Sequence, residues 1–119
     1  MSLTVLVVED DETLRSLIVE AVSLLGFRVL DCASADDALT TLVDCSSVAL
    51  VITDVCMPGS MDGIGLAKMI WIRWPSLPVI ITSGNRTMPE DLLPDHAMFL
   101  RKPWTLDVLH SAITVYLPE

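Results

Sequence analysis

Cysteine, basic residues and long apolar runs are all scarce in this chain, and each scarcity argues against a class of protein. The three cysteines, Cys32, Cys45 and Cys56, are scattered and form no C-x-x-C pair, so neither a disulfide framework nor a zinc site is expected. Seven Lys and Arg stand against 16 Asp and Glu, and the resulting charge of −9 disfavours binding to the phosphates of nucleic acid. No apolar run reaches the length that spans a bilayer.

The amino terminus lacks the features of a secretory signal. Glu9, Asp10 and Asp11 interrupt the first apolar run, whereas a signal peptide needs an unbroken apolar region. We therefore expect a cytoplasmic protein with reduced thiols and with no membrane or nucleic-acid partner. A chain of 119 residues is expected to form one domain, residues 1–119, which buries about two-thirds of its unfolded surface without disulfides.

Apolar residues, in contrast, are abundant and make up 52% of the chain. Five segments have the length of strands, namely residues 3–8, 27–32, 48–52, 78–81 and 97–100, and the run at 48–52 is also rich in β-branched residues, as in a strand covered on both faces. Segments with the apolar periodicity of helices separate most of these runs. Strands that alternate with helices predict a parallel sheet with right-handed crossovers, which is a doubly wound α/β sandwich.

Polar residues mark where the helices are expected to begin. Asp10 or Asp11 can cap the first helix, Ser34 the second and Thr105 the last. In the last helix, the apolar stripe is expected to face inward from Leu106 onward.

The connection between the fourth and fifth strands, residues 85–96, is the least regular part of the chain. Pro89 could begin a helical turn there, whereas Pro94 disfavours helical geometry at the residue before it. A helix of at most about one turn fits between the two prolines. We therefore expect the helix after the fourth strand to be short or missing.

Polar side chains follow four of the predicted strands at the point where each strand ends. Glu9 and Asp10 follow the first strand, Asp54 the third, Thr82 the fourth and Lys102 the fifth. Because the carboxyl ends of parallel strands lie along one edge of a sheet, these side chains are expected to converge. Three carboxylates at short range repel unless a cation or protons relieve the charge, and such oxygen ligands suit Mg²⁺. An ionised Asp that lies next to the metal can act as a nucleophile and receive a phosphoryl group, while a neighbouring ammonium and hydroxyl bind the phosphoryl oxygens.

Four stretches of the chain together resemble the receiver domain of two-component response regulators. They are VLVVEDDE at 5–12, ITDVCMP at 52–58, ITSG at 81–84 and LRKP at 100–103. These motifs occur in the family's order and at its intervals, and the resemblance covers nearly the whole chain. It implies a flavodoxin-like, five-stranded sheet of order 2-1-3-4-5 and a phospho-acceptor signalling domain in a phosphorelay.

The resemblance also implies which residues form the acceptor and metal site. Asp54 matches the phospho-acceptor aspartate, and Lys102 matches the lysine that binds the phosphoryl group. Asp10 matches a direct Mg²⁺ ligand, whereas Glu9 is expected to act partly through water. Cys56 occupies the position whose backbone carbonyl completes the metal shell, so its thiol need not take part.

Two further residues match the conformational switch of the family. Thr82 matches the hydroxyl that contacts the phosphoryl group, and Phe99 matches an aromatic residue that is often Tyr. Thr82 could also serve as a turn residue, and Phe99 could equally be a core residue.

The implied partners are a sensor histidine kinase or a histidine phosphotransfer protein. The domain is expected to assist its own phosphorylation and dephosphorylation without acting as an enzyme on an external substrate. We expect a monomer or a weak dimer, with no output domain in this chain. A stand-alone receiver and a receiver from a hybrid kinase or larger regulator both remain open.

Two other functions compete with this interpretation. An aspartate-nucleophile phosphatase usually has a second acid two residues after the nucleophile, where this chain has Cys56, and it usually needs cap segments for which little chain remains. An interaction module that is never phosphorylated would not need the complete set of acids together with Thr82 and Lys102.

Overall fold

The computed structural model of this chain describes residues 3–45, 47–55, 61–84 and 97–117. Within these ranges the chain forms, in order, β1 Thr4–Val8, α1 Glu12–Leu24, β2 Arg28–Cys32, α2 Ala35–Asp44, β3 Val48–Asp54, α3 Gly63–Arg73, β4 Val79–Ser83, β5 Ala97–Arg101 and α4 Leu106–Tyr116. All strand pairs are parallel, and the sheet order is β2-β1-β3-β4-β5. The predicted doubly wound architecture and its strand order are therefore confirmed.

Helices cover both faces of the sheet. Residues of α1 and α4 form one apolar core with the sheet, and residues of α2 and α3 form the other. Because successive side chains of a strand point to opposite faces, a central strand contributes to both cores. In β1, Val5 and Val7 enter the α1 and α4 core, whereas Leu6 and Val8 enter the α2 and α3 core. Each fully buried aliphatic side chain of this size contributes about 1.5–3 kcal/mol to stability.

Capping side chains fix the starts of the helices, as expected. Of the two candidates for α1, Asp11 is the cap, and its carboxylate accepts the Leu14 N–H at 3.0 Å. Ser34 and Thr105 cap α2 and α4 in the same way. The expectation that Leu106 faces inward is wrong, because its side chain is 62% exposed. The buried stripe of α4 begins one turn later, at Leu109.

The start of α3 lies directly against the end of β3. The Gly63 N–H donates to the Val55 carbonyl at 2.8 Å, and Asp62 caps the helix by accepting the Gly65 N–H at 2.8 Å. A Cβ atom at Gly63 would overlap the carbonyl oxygen of Asp54. The absence of a side chain at Gly63 therefore lets α3 approach the end of β3 so closely.

Two predictions concern residues outside the described ranges. The short or missing helix between residues 85 and 96 is one, and the role of the Cys56 backbone carbonyl is the other. Among the described helices, none combines the length and the apolar character needed to cross a membrane.

Candidate functional site

The strand register brings the predicted polar residues to one edge of the sheet. Asp54 at the end of β3 pairs directly with Thr82 in β4. Val8, the last residue of β1, pairs with Thr53, so Glu9 follows at the level of Asp54. This edge is where doubly wound sheets bind their ligands.

Lys102 joins two carboxylates at this edge. Its ammonium nitrogen lies 3.1 Å from Oδ1 of Asp54 and 3.4 Å from Oε1 of Glu9. Burial lowers the pKa of Lys102, but its hydrogen bond to Asp54 and the charges of Glu9 and Asp54 outweigh burial and raise that pKa above its usual value. The side chain is 25% exposed, so a charged group arriving from solvent can reach it.

Glu9 is the most deeply buried acid among the described residues and is 2% exposed. Its Oε2 atom accepts the Asp11 N–H at 3.0 Å. Burial raises the pKa of Glu9, and the neighbouring Asp10 and Asp54 raise it further. The Asp11 N–H and the Lys102 charge act in the opposite direction but do not cancel the increase. Glu9 is therefore a carboxyl group that is costly to ionise until a further cation arrives.

Glu9, Asp10 and Asp54 together form a group of carboxylates that could hold a metal ion. One oxygen from each residue lies within 4.8 Å of the others. Asp54 is only 8% exposed, whereas Asp10 is exposed. A hard cation such as Mg²⁺ favours this all-oxygen donor set, because it prefers carboxylates and retains waters in its remaining positions. The residues present therefore fit the metal that the sequence predicts.

Thr82 and Phe99 lie on the two strands that follow Asp54 across the sheet. The Thr82 side chain is buried, and its hydroxyl donates to the Thr53 carbonyl at 3.4 Å. Phe99 pairs with Ile81 and is half-buried against the α2 and α3 core. Thr82 is thus adjacent to Asp54, while Phe99 has the contacts of a core residue. Their roles in a switch remain predictions.

Arg15 also contacts the site, although no sequence motif singles it out. Its Nη1 atom donates to the Glu9 carbonyl at 2.9 Å, and its Nε atom donates to Asp31 Oδ2 at 3.0 Å. A positive charge near the amino end of a helix is unfavourable for the helix dipole. An Arg near the start of α1, directly after a run of acids, therefore indicates that the guanidinium has a specific hydrogen-bond partner.

Comparison with known proteins identifies the family. A family model described as the response regulator receiver domain matches residues 5–114. The C4-dicarboxylate transport transcriptional regulatory protein DctD of Rhizobium meliloti is 36% identical over 109 residues, which cover 89% of this chain and 23% of DctD. The response regulator protein FleR of Pseudomonas aeruginosa is 42% identical over 107 residues, which cover 87% of this chain and 22% of FleR. The chain thus spans less than a quarter of the length of either relative.

Solved structures give the same result. A response regulator receiver domain protein from Clostridium thermocellum is 29% identical and superposes with a TM-score of 0.85, covering 97% of this chain and 94% of that protein. A receiver protein from Sinorhizobium medicae superposes with a TM-score of 0.89 at 24% identity, covering 98% of this chain and 94% of that protein, and so supports the fold alone. The match of the family model over residues 5–114 shows that the chain belongs to the receiver domains of two-component response regulators.

Proposed function

We propose that Asp54 is the phospho-acceptor of this receiver and that Glu9, Asp10, Thr82 and Lys102 serve its phosphorylation. The observation that carries the proposal is the contact of one ammonium, Lys102 Nζ, with the carboxylates of both Asp54 and Glu9. An aspartate held only for stability would not need two further acids beside it, because like charges at short range are costly. The cluster is better explained as a site prepared for a cation and a phosphoryl group.

In the proposed reaction, a carboxylate oxygen of Asp54 attacks the phosphorus of a phosphohistidine on a partner protein. The bond between phosphorus and the imidazole nitrogen breaks, and the imidazole leaves. The ammonium of Lys102 turns from the carboxylates toward the phosphoryl oxygens and offsets their charge. Catalysis is then mostly a matter of position and electrostatics.

Glu9, Asp10 and Asp54, with the backbone carbonyl of Cys56, would hold Mg²⁺ at this site. When bound, the ion offsets negative charge on the carboxylates and on the phosphoryl oxygens. Asp10 is suited to bind the ion directly because it is exposed. Glu9 is already bonded to Lys102 and to the Asp11 N–H, which suits the role of a ligand that acts partly through water.

Thr82 would couple phosphorylation of Asp54 to conformational change in the rest of the domain. Its hydroxyl bond to the Thr53 carbonyl is long, at 3.4 Å, so exchange for a charged phosphoryl oxygen is favourable. The segment that follows β4 and Phe99 would then shift to a different population of conformations. Water finally hydrolyses the acyl phosphate and returns Asp54 to its starting state.

The proposed phosphoryl donor is a sensor histidine kinase or a histidine phosphotransfer protein. The domain would assist its own phosphorylation and dephosphorylation and would not turn over an external substrate. DctD is named as a transcriptional regulatory protein, but any output function of the present protein would depend on more than this receiver. Its expected cytoplasmic location, its monomeric or weakly dimeric state and the absence of nucleic-acid binding by the domain itself remain predictions.

The direct test is phosphorylation by a small donor. Acetyl phosphate with Mg²⁺ should add the mass of one phosphoryl group to the intact protein, and a metal chelator should prevent the addition. A protein that forms the same adduct in chelator, or none in Mg²⁺, would contradict the proposal. Steady hydrolysis of an external phosphate ester by the protein would instead favour the phosphatase alternative.

A second prediction concerns stability and Mg²⁺. The ion binds the folded site, so at about 100 times its dissociation constant it should stabilise the domain by about 2.7 kcal/mol. Asp10→Asn should reduce this gain in stability, because it removes an exposed Mg²⁺ ligand. Without Mg²⁺, the variant should be at least as stable as wild type, because the substitution removes a negative charge that the neighbouring carboxylates repel. Urea denaturation with Mg²⁺ and with chelator measures both effects.

The exposed Asp44 at the carboxyl end of α2 provides the matched control. Asp44→Asn makes the same change in charge near the start of β3, away from the strand ends that carry the site, and should leave the Mg²⁺ gain unchanged. Equal Mg²⁺ gains in wild type and Asp10→Asn would rule out Asp10 as a ligand.

A further inference from the structure

We infer that Arg15 is a positioning residue for the acidic site, which it serves by fixing the backbone at Glu9. The inference rests on the proposed Mg²⁺ site and goes beyond it, because Arg15 offers no ligand atom to a cation. Its guanidinium instead joins three elements of the fold: the end of β1, the end of β2 and the start of α1.

The first observation is that every polar group of Glu9 is bonded. The N–H of Glu9 donates to the Cys32 carbonyl at 3.1 Å, and its carbonyl accepts Arg15 Nη1 at 2.9 Å. The two carboxylate oxygens accept the Asp11 N–H at 3.0 Å and Lys102 Nζ at 3.4 Å. Arg15 is the only side chain among these partners that holds the backbone of Glu9.

The second observation is that Arg15 is itself held in place. Its Nε atom lies 3.0 Å from Asp31 Oδ2 in β2, and its own N–H donates to the Asp11 carbonyl at 2.8 Å within the first turn of α1. The Arg15 side chain is only 20% exposed. A guanidinium that bonds to two fixed acceptors at once is a rigid fork, which a lysine ammonium cannot reproduce.

Fixing the Glu9 carbonyl also restricts Asp10, because the two residues share a peptide unit. The carbonyl that Arg15 holds belongs to the peptide unit that links Glu9 to Asp10, so rotation of this unit would move both carboxylates. Residues that orient metal ligands commonly change metal affinity by about 10–100-fold when removed. Arg15 acts through the backbone and not on a ligand atom, so an effect near the lower end of that range is expected.

The sign of the effect distinguishes positioning from simple electrostatics. Arg15 carries a positive charge, and a positive charge near a cation site repels the cation. If Arg15 acted only as a nearby charge, its removal would tighten Mg²⁺ binding. If it positions Glu9 and Asp10, its removal weakens Mg²⁺ binding despite the more negative site.

Titration calorimetry of the metal-free protein with Mg²⁺ tests this inference. We expect Arg15→Ala to raise the Mg²⁺ dissociation constant by about tenfold, and Arg15→Lys, which keeps the charge but loses the fork, to raise it by less. Arg73→Ala is the matched control, because Arg73 is exposed at the far end of α3 and lies over the Trp74 ring. It should leave the constant unchanged.

An unchanged or lower dissociation constant in Arg15→Ala would overturn the inference, even if the variant unfolds at a lower temperature. If Arg15→Ala does not fold, Arg15→Lys decides: weaker binding supports positioning, and wild-type affinity overturns it. A wild-type protein that binds no Mg²⁺ would overturn both the proposed metal site and this inference. If the wild-type protein binds Mg²⁺ and is phosphorylated, but Arg15→Ala binds Mg²⁺ with the same affinity as wild type, only the inference about Arg15 is overturned and the proposed function stands.

Discussion

Asp54→Asn should abolish the phosphoryl adduct that acetyl phosphate forms with the wild-type protein. The amide has nearly the shape of the carboxylate but no negatively charged oxygen to attack phosphorus. The substitution removes one of three clustered acids, and the Asn side-chain oxygen can still accept a hydrogen bond from Lys102, which lies 3.1 Å from Asp54 Oδ1 in wild type, so the metal-free variant is expected to fold. Lost phosphorylation would then reflect chemistry and not unfolding. Intact mass after incubation with acetyl phosphate and Mg²⁺ measures the effect.

Asp44→Asn is the matched control for this experiment. Asp44 is exposed at the carboxyl end of α2, away from the strand ends that carry the site, and its substitution makes the same change in charge. It should be phosphorylated like wild type. An adduct of wild-type yield in Asp54→Asn would refute the assignment of Asp54, whatever its dependence on Mg²⁺.

Gly63→Ala should cause the largest loss of stability among the substitutions considered. A methyl group at this position would overlap the backbone of Asp54, because the Gly63 Cβ would point at its carbonyl oxygen. No side-chain rotation can relieve a clash with backbone, so α3 must move away from β3. Overpacking of this kind costs about 1–3 kcal/mol, and occasionally more. We expect a loss of about 3 kcal/mol in the free energy of unfolding, measured by urea denaturation.

Gly65→Ala is the control on the same helix. A Cβ atom at Gly65 would meet the Met61 Cγ atom at 2.9 Å, and this flexible side chain can turn away. Alanine is favoured over glycine within a helix by about 1 kcal/mol, so Gly65→Ala should be neutral or slightly stabilising. Equal stabilities for the two variants would show that α3 is not held against β3 as the structure describes.

The sheet and the convergence of polar residues at one of its edges could be predicted from the sequence, because both follow from position along the chain. In a parallel sheet every strand ends at the same edge, so knowing that Asp54, Thr82 and Lys102 follow strands is enough to place them together. Strand order could not be predicted in this way, because apolar periodicity does not indicate which strands are neighbours in the sheet. The order came from the resemblance to receiver domains and is confirmed by the pairing of the strands.

The features that the sequence did not predict depend on contacts between distant segments. The pairing of Arg15 with Asp31 joins a helix to a strand 16 residues later, and no local pattern specifies such a pair. The close approach of Gly63 to Asp54 depends on how the chain returns after β3. The exposure of Leu106 depends on where α4 first meets the sheet, which the helical period leaves undetermined by one turn.

The backbone of Val55 links the end of β3 to both β4 and α3. Its N–H donates to the Thr82 carbonyl at 3.0 Å, and its carbonyl accepts the Gly63 N–H at 2.8 Å. A displacement of Thr82 toward a modified Asp54 would therefore pull on the residue next to Asp54 and, through it, on the first turn of α3. The hydrogen bonds donated by the Val55 and Gly63 N–H groups thus connect β4 to the start of α3 through the backbone of a single residue.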